Sequence, residues 1–374
     1  MGYSVKPKIL FIVDTLAFGG AQKVLFEQMK YIKKQGYEVA LFSIKKNMYH
    51  NWFEEFLIYG AINEQQSIAT NIFVVLEKLK EVVPHFDVII GFIDLFTNYL
   101  AVMSGKMHNK TTLVSSRVVL SDHLQKIDYP SVNHEMITYF YNQADGVIAL
   151  SKNVKKDLIE KYAIDTKKIF QVYNPVNFKR VEQLSQKDCK HETFFNRRVI
   201  LSIGRMTEQK NHLFVLELFS HIADEYEDVN LCILGDGPLR ESLLKKINKL
   251  SLENRVLLPG NVENIYPYLE KSELFLFPSL YEGLGNSILE ALSVGVPIVA
   301  SNLEVIKELI ENKKNGLLCE LAQPETFIQA IKKILEDKSY AQILSNNGKI
   351  SVQRFQISKI GEEFLRVINK VYNG

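Results

Sequence analysis

Short apolar runs alternate with amphipathic stretches along the first half of the chain. The apolar runs cover residues 9–13, 39–44, 88–92 and 147–149, and the first two are separated by a helical pattern at 22–34. Apolar runs of this length, separated by helices, are typical of strands that are buried on both faces of a parallel sheet. The first half therefore predicts an α/β unit.

The same alternation restarts in the second half of the chain. Apolar runs at 199–203, 231–234 and 255–258 alternate with helical patterns that begin at about Leu213 and at about Leu239. A second series of strands and helices predicts a second α/β unit with its own core. The fold class is therefore α/β with two units.

The two units are separated by a stretch without clear periodicity. The sequence is polar and irregular from 174 to 198, and we predict an interdomain linker at 176–198. This boundary divides the chain into an N-terminal domain at 1–175 and a C-terminal domain at 199–356. Apolar residues at helical spacing then predict a closing helix at 357–374, after which no strand follows.

Composition supports a folded protein and excludes several classes. The 374 residues exceed what one core usually supports, and 47% of them are hydrophobic against 24% charged. Three dispersed cysteines suggest neither a disulfide framework nor a zinc site, so we expect a reducing cytoplasm. No apolar run reaches the roughly 18 residues that span a bilayer, and a net charge of +2 gives no reason to expect nucleic-acid binding.

A glycine-rich turn between two glutamates is the first chemical signal. The sequence EGLGNSILE begins at Glu282 and ends at Glu290, and it follows an apolar, strand-like run. A helix that begins near Asn286 would direct unpaired backbone amides at the turn, where they would bind phosphate. Gly283 and Gly285 would allow a ligand to approach the backbone closely. An ordinary strand–turn–helix connection with solvated glutamates explains the spacing equally well.

Two cations provide independent support for a phosphate site. In SIGRMTEQKN, the run at 199–203 ends and is followed by Gly204, Arg205 and Lys210. Ligands of open α/β sheets bind outside the carboxyl ends of strands, so an Arg and a Lys at this place suit a diphosphate. Taken singly, each is more often a solvated surface charge.

The combination of motifs resembles a known family. SIGRMTEQKN, followed about seventy residues later by PSLYEGLGNSILEALSVGVPIVAS, resembles the donor half of the family-four glycosyltransferases. Further similar segments are GGAQ at 19–22, ALSKNVKKDL at 149–158, YNPVN at 173–177 and LGDGPLR at 234–240. The resemblance implies retaining enzymes of the GT-B fold, in which two Rossmann-like domains face a central cleft and the C-terminal helix packs back towards the N-terminal domain.

The resemblance also implies roles for four side chains. Arg205 and Lys210 would hold the donor's diphosphate, Glu290 would bind the ribose hydroxyls, and Glu282 would contact the hydroxyls of the transferred sugar. Pre-placed donors stabilise the negative charge that develops on a departing nucleoside diphosphate, and losing one costs about 3 kcal/mol of barrier. We expect Glu282, Arg205 and Lys210 to be the catalytic residues.

Backbone groups complete the donor site that the resemblance implies. Backbone amides of Gly19 and Gly20 would face the phosphates from the N-terminal domain, and those of Leu284 and Gly285 would face them from the C-terminal domain. Asn261 and Val262 would flank the nucleotide base. The chain contains no D-x-D carboxylate pair, which many other sugar transferases use to hold a divalent metal. We therefore expect neither a metal nor another cofactor.

The chain departs from the family pattern in the N-terminal domain. Family members often carry a histidine there that contacts the donor sugar, whereas LVSSRVVLSDH places Arg117 at that position. Arg117 would serve an acceptor phosphate or carboxylate, or the donor sugar, unless it is a surface arginine that ends a strand. Asp94 and Asn98, in GFIDLFTN, are further acceptor-side residues or else helix caps.

These observations lead to one preferred function. We expect a retaining transfer from a nucleotide-diphosphate sugar, with UDP-sugars likelier than GDP-sugars on family frequency, to a glycan or lipid-linked glycan. The alternatives are a nucleotide-sugar epimerase and a non-catalytic partner subunit on the same scaffold. Lys30, Lys33 and Lys34 would allow peripheral contact with anionic lipid at the cytoplasmic face, or else form a solvated helix face.

Overall fold

The computed structural model describes residues 6–16, 19–46 and 51–374. It divides into two compact units. The first unit runs to Pro175 and resumes at Ile357, and the second unit spans Val176–Gln356.

The first unit is built around a parallel sheet in which the interior strand β1 is an uninterrupted apolar run. β1 is buried along its whole length, which explains why its residues do not alternate with polar ones. Among the described residues the sheet has seven strands in the order β3-β2-β1-β4-β5-β6-β7. The strands are β1 (Ile9–Val13), β2 (Val39–Lys45), β3 (Leu57–Ile62), β4 (Val88–Gly91), β5 (Thr111–Ser116), β6 (Gly146–Ala149) and β7 (Ile169–Gln171).

Helices connect these strands and bury their apolar faces against the sheet. α1 shows this clearly, since Leu25, Met29 and Ile32 recur at helical spacing and are fully buried. The helices are α1 (Gly20–Lys34), α2 (Ile72–Val82), α3 (Phe96–Met107), α4 (Leu120–Leu124), α5 (Pro130–Gln143) and α6 (Lys152–Tyr162).

The second unit repeats the architecture with a smaller sheet. Within the described chain, its six parallel strands have the order β10-β9-β8-β11-β12-β13. They are β8 (Arg198–Ile203), β9 (Val229–Leu234), β10 (Val256–Gly260), β11 (Leu274–Phe277), β12 (Ile298–Ser301) and β13 (Leu317–Cys319). The helices are α7 (Phe178–Ser185), α8 (His212–Glu225), α9 (Arg240–Lys249), α10 (Tyr266–Glu270), α11 (Asn286–Val294), α12 (Glu304–Lys307), α13 (Pro324–Glu336) and α14 (Lys338–Ser351).

The segment predicted as a linker, 176–198, belongs to the second unit. It contains α7, whose first amides are capped by the Asn177 side chain, and α7 packs against α10 and α11. Asn264 Nδ2 also donates to the Leu184 carbonyl at 2.7 Å. Only Val181 is buried in α7, so the helix leaves little apolar periodicity for sequence reasoning to detect.

The closing helix forms as predicted and packs on the first unit. α15 (Ile357–Asn373) lies against α1, and the Phe364 ring stacks on the Phe11 ring at 6.2 Å. Asn369 Nδ2 donates to the Tyr37 hydroxyl at 2.7 Å. A Cβ at Gly361 would lie 2.4 Å from the Tyr31 ring, so this glycine permits the close approach of the two helices.

None of the helices in the described ranges is both long enough and apolar enough to cross a membrane.

Candidate active site

The strand order places the predicted site residues at the same topological position in each unit. Each order reverses at a switch point, between β1 and β4 in the first sheet and between β8 and β11 in the second. Ligands of open α/β sheets bind outside the carboxyl ends of strands at such a point. In the second unit, Arg205 and Lys210 follow β8 and Glu282 follows β11.

Lys210 is positioned by the turn that follows β8. It ends a short 3-10 turn, Glu208–Lys210, and its aliphatic stem lies on Gly204. A Cβ at Gly204 would lie 2.8 Å from the Lys210 Cγ atom, so a larger residue there would displace the stem. Phe277, at the end of β11, places its ring 4.9 Å from the Lys210 ammonium. The cation is therefore held by packing on two sides.

The Lys210 ammonium forms an ion pair with the Glu282 carboxylate. Nζ lies 2.5 Å from Oε1, and the two side chains are 17% and 7% exposed. Because the pair is mostly removed from water, each charge requires the other, and removing one partner leaves an uncompensated charge. The sequence predicted both residues at the site, and the structure brings them into direct contact.

Besides the Lys210–Glu282 contact, further hydrogen bonds join the turn after β8 to the segment after β11. The Leu280 amide donates to the Gln209 carbonyl at 2.9 Å, and Gln209 Nε2 donates to the Tyr281 carbonyl at 3.0 Å. Asn211 Nδ2 donates to the Pro278 carbonyl at 3.3 Å. These bonds fix the distance between the loops that carry Lys210 and Glu282.

Arg205 differs from Lys210 in its surroundings. Its side chain is exposed, and its guanidinium makes no hydrogen bond or ion pair with the part of the chain that the structure describes. The backbone is ordered by the Thr207 amide, which donates to the Arg205 carbonyl at 2.7 Å. Arg205 is therefore an exposed cation whose N–H donors face solvent. It precedes Lys210 in the same turn after β8.

The turn after Glu282 leads into α11 through a left-handed glycine. Gly285 has φ +94°, a conformation that L-residues with a side chain adopt at a cost, and it precedes the first residue of α11. The cap residue Gly285 has no side chain that could accept from the first amides of α11, and the Ile288 amide donates to its carbonyl at 3.0 Å. The N-terminus of a helix suits an anion. Leu284 is buried, and Glu290 lies half-buried one turn inside α11.

A second loop supports the turn after β8, and sequence reasoning assigned it no role. It belongs to LGDGPLR, and the Met206 amide donates to the Asp236 carbonyl at 2.9 Å. Gly235 has φ +127°, and a Cβ there would lie 2.1 Å from the Gly204 carbonyl oxygen. The two loops are thus in backbone contact beneath Arg205. The paired glycines of the motif were the signal that could have indicated this packing.

His212 is a further neighbour of Lys210 that the sequence did not single out. It is the first residue of α8 and is 1% exposed, and neither ring nitrogen has a hydrogen-bond partner among the described residues. Burial, and to a smaller extent the Lys210 charge, lowers its pKa to about 3. The imidazole is therefore neutral at physiological pH.

The segment predicted to flank the base lies just beyond β10. Asn261 is exposed and Val262 is half-buried, and both follow Gly260, which has φ +81°. The Gly235 amide donates to the Gly260 carbonyl at 2.9 Å. The LGDGPLR loop therefore contacts Gly260, directly before the predicted base-flanking segment, and also the turn that carries Arg205.

In the first unit, the predicted glycines lie between β1 and α1. Gly19 precedes the helix in an extended conformation, and Gly20 is its exposed first residue. A Cβ at Gly19 would lie 2.4 Å from the Gln22 side chain, whose amide donates to the Thr15 carbonyl at 3.3 Å. No acidic residue lies in the first turn of α1, which leaves its amides to an anion.

Arg117 and Asp94 come together at the ends of β5 and β4. The Arg117 amide donates to both carboxylate oxygens of Asp94, at 2.9 and 3.1 Å. The Arg117 side chain is buried against the Phe92 ring and donates to Ser115 and Asn174. It is not a solvated surface arginine.

Asn98 does not fit the predicted contact with an acceptor. It is fully buried in α3, and its side-chain amide donates to the Ser115 carbonyl at 3.0 Å and the Tyr141 hydroxyl at 2.7 Å. Its oxygen accepts from the Ser115 amide at 3.3 Å. Because every polar atom of the side chain is used inside the fold, Asn98 is a structural residue that ties α3 to β5 and α5.

Two parallel sheets of Rossmann type, one in each unit, are the fold of GT-B glycosyltransferases. The solved structure of HepE from Anabaena with UDP-glucose superposes with a TM-score of 0.84, over 97% of this chain and 100% of that one, at 19% identity. This likeness confirms the predicted fold.

Comparison of sequences identifies the family. The family model described as Glycosyltransferase Family 4 matches residues 18–180, and the one described as Glycosyl transferases group 1 matches residues 185–351. Two relatives come from Campylobacter jejuni. The N-acetylgalactosamine-N,N'-diacetylbacillosaminyl-diphospho-undecaprenol 4-alpha-N-acetylgalactosaminyltransferase is 31% identical over 72% of this chain and 73% of that protein. The GalNAc-alpha-(1->4)-GalNAc-alpha-(1->3)-diNAcBac-PP-undecaprenol alpha-1,4-N-acetyl-D-galactosaminyltransferase is 26% identical over 98% and 99%. The chain belongs to the family-four glycosyltransferases, and its activity is glycosyl transfer.

Proposed function

We propose that this glycosyltransferase moves a sugar from a UDP-sugar to a glycan carried on a lipid diphosphate, with retention of anomeric configuration and without a metal ion. The names of the two Campylobacter relatives, which act on undecaprenol-diphosphate glycans, support the acceptor class. The complex of HepE with UDP-glucose supports the nucleotide.

The observation that carries the proposal is the Lys210–Glu282 pair, together with an exposed Arg205 in the same turn after β8 as Lys210. In the pair, a mostly buried ammonium lies 2.5 Å from a carboxylate at the switch point of the second sheet. A bound diphosphate would accept hydrogen bonds from Lys210 and Arg205, while Glu282 would accept from sugar hydroxyls. One pair thus provides a positive group for the leaving group and a negative group for the transferred sugar.

The proposed chemistry needs little from the protein beyond charge and position. The bond between the anomeric carbon and the diphosphate oxygen breaks, and an acceptor hydroxyl oxygen bonds to the same face of that carbon. The hydroxyl proton passes to the departing diphosphate oxygen, so the products are a glycoside and a nucleoside diphosphate. Lys210, Arg205 and the first amides of α11 stabilise the charge that develops on the leaving group.

The cationic groups of this site would replace the charge that a divalent metal contributes in other transferases. Mg²⁺ is usually held by carboxylates together with substrate phosphates. Here the carboxylate of Glu282 is already paired with Lys210. We therefore propose that transfer proceeds in the presence of a chelator at the rate seen with added Mg²⁺. A rate restored only by a divalent cation would contradict this part of the proposal.

A lipid-linked acceptor implies contact with a membrane surface, and we propose that α1 contributes to it. Lys34 is exposed at the end of α1, whereas Lys30 and Lys33 lie 3.6 and 3.9 Å from the Glu55 carboxylate, which offsets part of their charge. Sedimentation with vesicles of anionic lipid tests this contact. Salt-sensitive binding that is reduced by Lys34→Glu is expected, and binding that is absent at low salt would contradict it.

A panel of UDP- and GDP-sugars, scored by thermal shift and by donor hydrolysis, tests the donor. A UDP-sugar should raise the melting temperature and be turned over, and the matching GDP-sugar should not. Donor incubated alone should give no altered nucleotide-sugar, since an epimer in that sample would indicate isomerase activity. With an undecaprenyl-diphosphate glycan acceptor, NMR of the product should show the donor's anomeric configuration, and inversion would overturn the retaining mechanism.

A further inference from the structure

The guanidinium of Arg117 is buried among neutral groups. The residue is 8% exposed, and its guanidinium carbon lies 4.4 Å from the centre of the Phe92 ring. One terminal nitrogen donates to Ser115 Oγ at 3.3 Å and the other donates to Asn174 Oδ1. Packing and two hydrogen bonds therefore hold the planar group in one orientation.

No carboxylate forms an ion pair with this guanidinium anywhere in the described ranges. Asp94, which follows the neighbouring strand β4, accepts from the backbone amide of Arg117 with both carboxylate oxygens. A buried charge without an opposite charge is costly, and proteins usually pair such groups or bind an ion with them. The Arg117 guanidinium is therefore a buried cation without a direct ion-pair partner among the described residues.

The pKa values of Arg117 and Asp94 agree with burial of both groups. Burial lowers the pKa of Arg117 to about 10, although the Asp94 charge acts in the opposite direction. The guanidinium thus remains charged at neutral pH. Burial raises the pKa of Asp94 to about 7 against the opposing effect of Arg117. Burial, and to a smaller extent the Asp94 charge, raises the pKa values of the neighbouring Tyr99 and Tyr141 hydroxyls, so both stay neutral.

The position of Arg117 is suited to a ligand. It follows β5 directly, and Asp94 follows the neighbouring β4, so both lie at the carboxyl end of the first sheet. Leu95, next to Asp94, has φ +65°, a strained conformation for a residue with a side chain. Backbone strain and a buried cation without a direct ion pair lie together at the carboxyl ends of these strands. A fold retains such features for binding rather than for stability.

We propose that the Arg117 guanidinium binds a phosphate of the acceptor's diphosphate, and that Asn174 is a positioning residue that holds the guanidinium for this contact. The inference rests on the proposed lipid-diphosphate acceptor. A planar guanidinium presents paired N–H donors that match two phosphate oxygens, and a bound phosphate would form the direct ion pair that the Arg117 side chain lacks among the described residues. Asp94, which has a like charge to the phosphate, opposes binding when it is ionised.

Binding is tested first without any turnover, using inorganic pyrophosphate and the whole protein labelled with 15N-arginine. The Arg117 Nε resonance, identified by its loss in Arg117→Gln, should shift on titration. The shift should persist in Arg205→Ala, in which the other predicted diphosphate site is weakened. An Arg117 resonance that does not move, or that moves only while Arg205 is intact, would overturn the proposal.

Kinetics then separate the acceptor from the donor as the source of the phosphate. Arg117→Gln should raise the KM of a diphosphate-linked glycan by about 10- to 100-fold, and Arg117→Lys should give a smaller increase. The KM of the donor, and that of the same glycan on a neutral alkyl group, should change less than about twofold. A rise in the donor KM alone would assign Arg117 to the donor and overturn the proposal. If no acceptor is used at all, the proposed function fails, while the pyrophosphate titration still decides the role of Arg117.

Two further variants distinguish binding from a structural role. Arg117→Met removes a buried unpaired cation, so its melting temperature should equal or exceed that of the wild type while pyrophosphate binding is lost. Arg366→Met, which replaces a largely exposed arginine in α15, is the control for both measurements. In Asp94→Asn, pyrophosphate should bind more tightly than in the wild type above about pH 7, because the like charge is gone. Lower stability in Arg117→Met with unchanged binding would contradict the proposal.

Discussion

The two units hold their central cations in opposite ways. In the second unit, Lys210 has a carboxylate partner at 2.5 Å, and the pair has no net charge when both groups are ionised. In the first unit, Arg117 is held by an amide, a hydroxyl and an aromatic ring, and its charge is not offset by a direct ion pair within the described chain. The same sheet topology therefore supports one charge-balanced site and one unbalanced site.

The difference has a chemical meaning. A balanced pair contributes opposite charges to two parts of one ligand, and it keeps its geometry in the absence of that ligand. An unbalanced buried cation contributes strongly to binding one anion, but it lowers the stability of the empty protein. The contrast predicts that removing Glu282 from the balanced pair lowers the rate, whereas removing Arg117 lowers affinity without loss of stability.

The largest effect is expected from Glu282→Ala, which tests the balanced site. The substitution removes the carboxylate that accepts a hydrogen bond from Lys210 and, in our proposal, from the sugar hydroxyls. We therefore expect kcat to fall by about 100- to 1,000-fold. Steady-state kinetics with the donor found in the panel measure this. Glu304→Ala, at an exposed glutamate paired only with Lys307 within the described chain, is the matched control. Wild-type turnover in Glu282→Ala would remove Glu282 from the catalytic machinery.

Gly235→Ala separates the scaffold of the second site from its charges. The new Cβ would combine an unfavourable φ of +127° with an overlap with the Gly204 carbonyl oxygen, and we expect a loss of about 2–3 kcal/mol in the free energy of unfolding. Gly260→Ala is the control, because φ is +81° there but no atom lies within 4 Å of the new Cβ. Its loss should be about 1 kcal/mol from strain alone. Equal losses in urea titrations would contradict the loop packing.

Arg205→Ala tests whether an exposed cation contributes to the balanced site. Its affinity for the donor should fall by about tenfold, because one charge-assisted hydrogen bond to phosphate is lost. The free energy of unfolding should stay within about 0.5 kcal/mol of the wild type, since the side chain is exposed. Isothermal titration of the donor, with Arg366→Ala in parallel, measures the effect. Unchanged affinity would show that Lys210 and the helix amides bind the diphosphate without Arg205.

The smallest effect at neutral pH is expected from His212→Leu. The folded pKa of about 3 lies below the ordinary value of 6.5, so the unfolded state takes up the proton first as the pH falls. Wild-type stability should therefore decrease below about pH 6.5, by up to about 1.4 kcal/mol per pH unit. His212→Leu should lack this part of the dependence. Identical pH profiles in denaturant titrations would show that the imidazole is not held neutral by burial.

Local patterns were sufficient to predict much of the fold and to place three candidate site residues directly after strands. Strands such as β1 are continuous apolar runs, and Arg205, Lys210 and Glu282 lie in compact motifs directly after strands. The Lys210–Glu282 contact itself joins positions 72 residues apart, and only the strand order brings them together. Periodicity alone does not contain that order.

The features that the sequence did not predict depend on packing over long distances. Gly235 is critical because of a carbonyl oxygen in another loop, and α7 is weakly patterned because it buries only Val181. Asn98 was interpreted as accessible because it follows a strand, but its place in α3 directs the side chain at Ser115. Arg117 was assigned to the acceptor or sugar side from its position in the sequence. Only the three-dimensional structure shows that its guanidinium is buried without a direct ion pair among the described residues.

The return of α15 to the first unit has a consequence for how the protein is made. Tyr37 contacts Asn369, 332 positions later, so the first unit completes its packing only when its last helix has left the ribosome. The second unit is continuous in sequence, from 176 to 356, and has all its residues earlier. Domains usually complete folding in the order of synthesis. Here the unit that begins first should finish last, and chaperones would meet an N-terminal sheet that still lacks its covering helix.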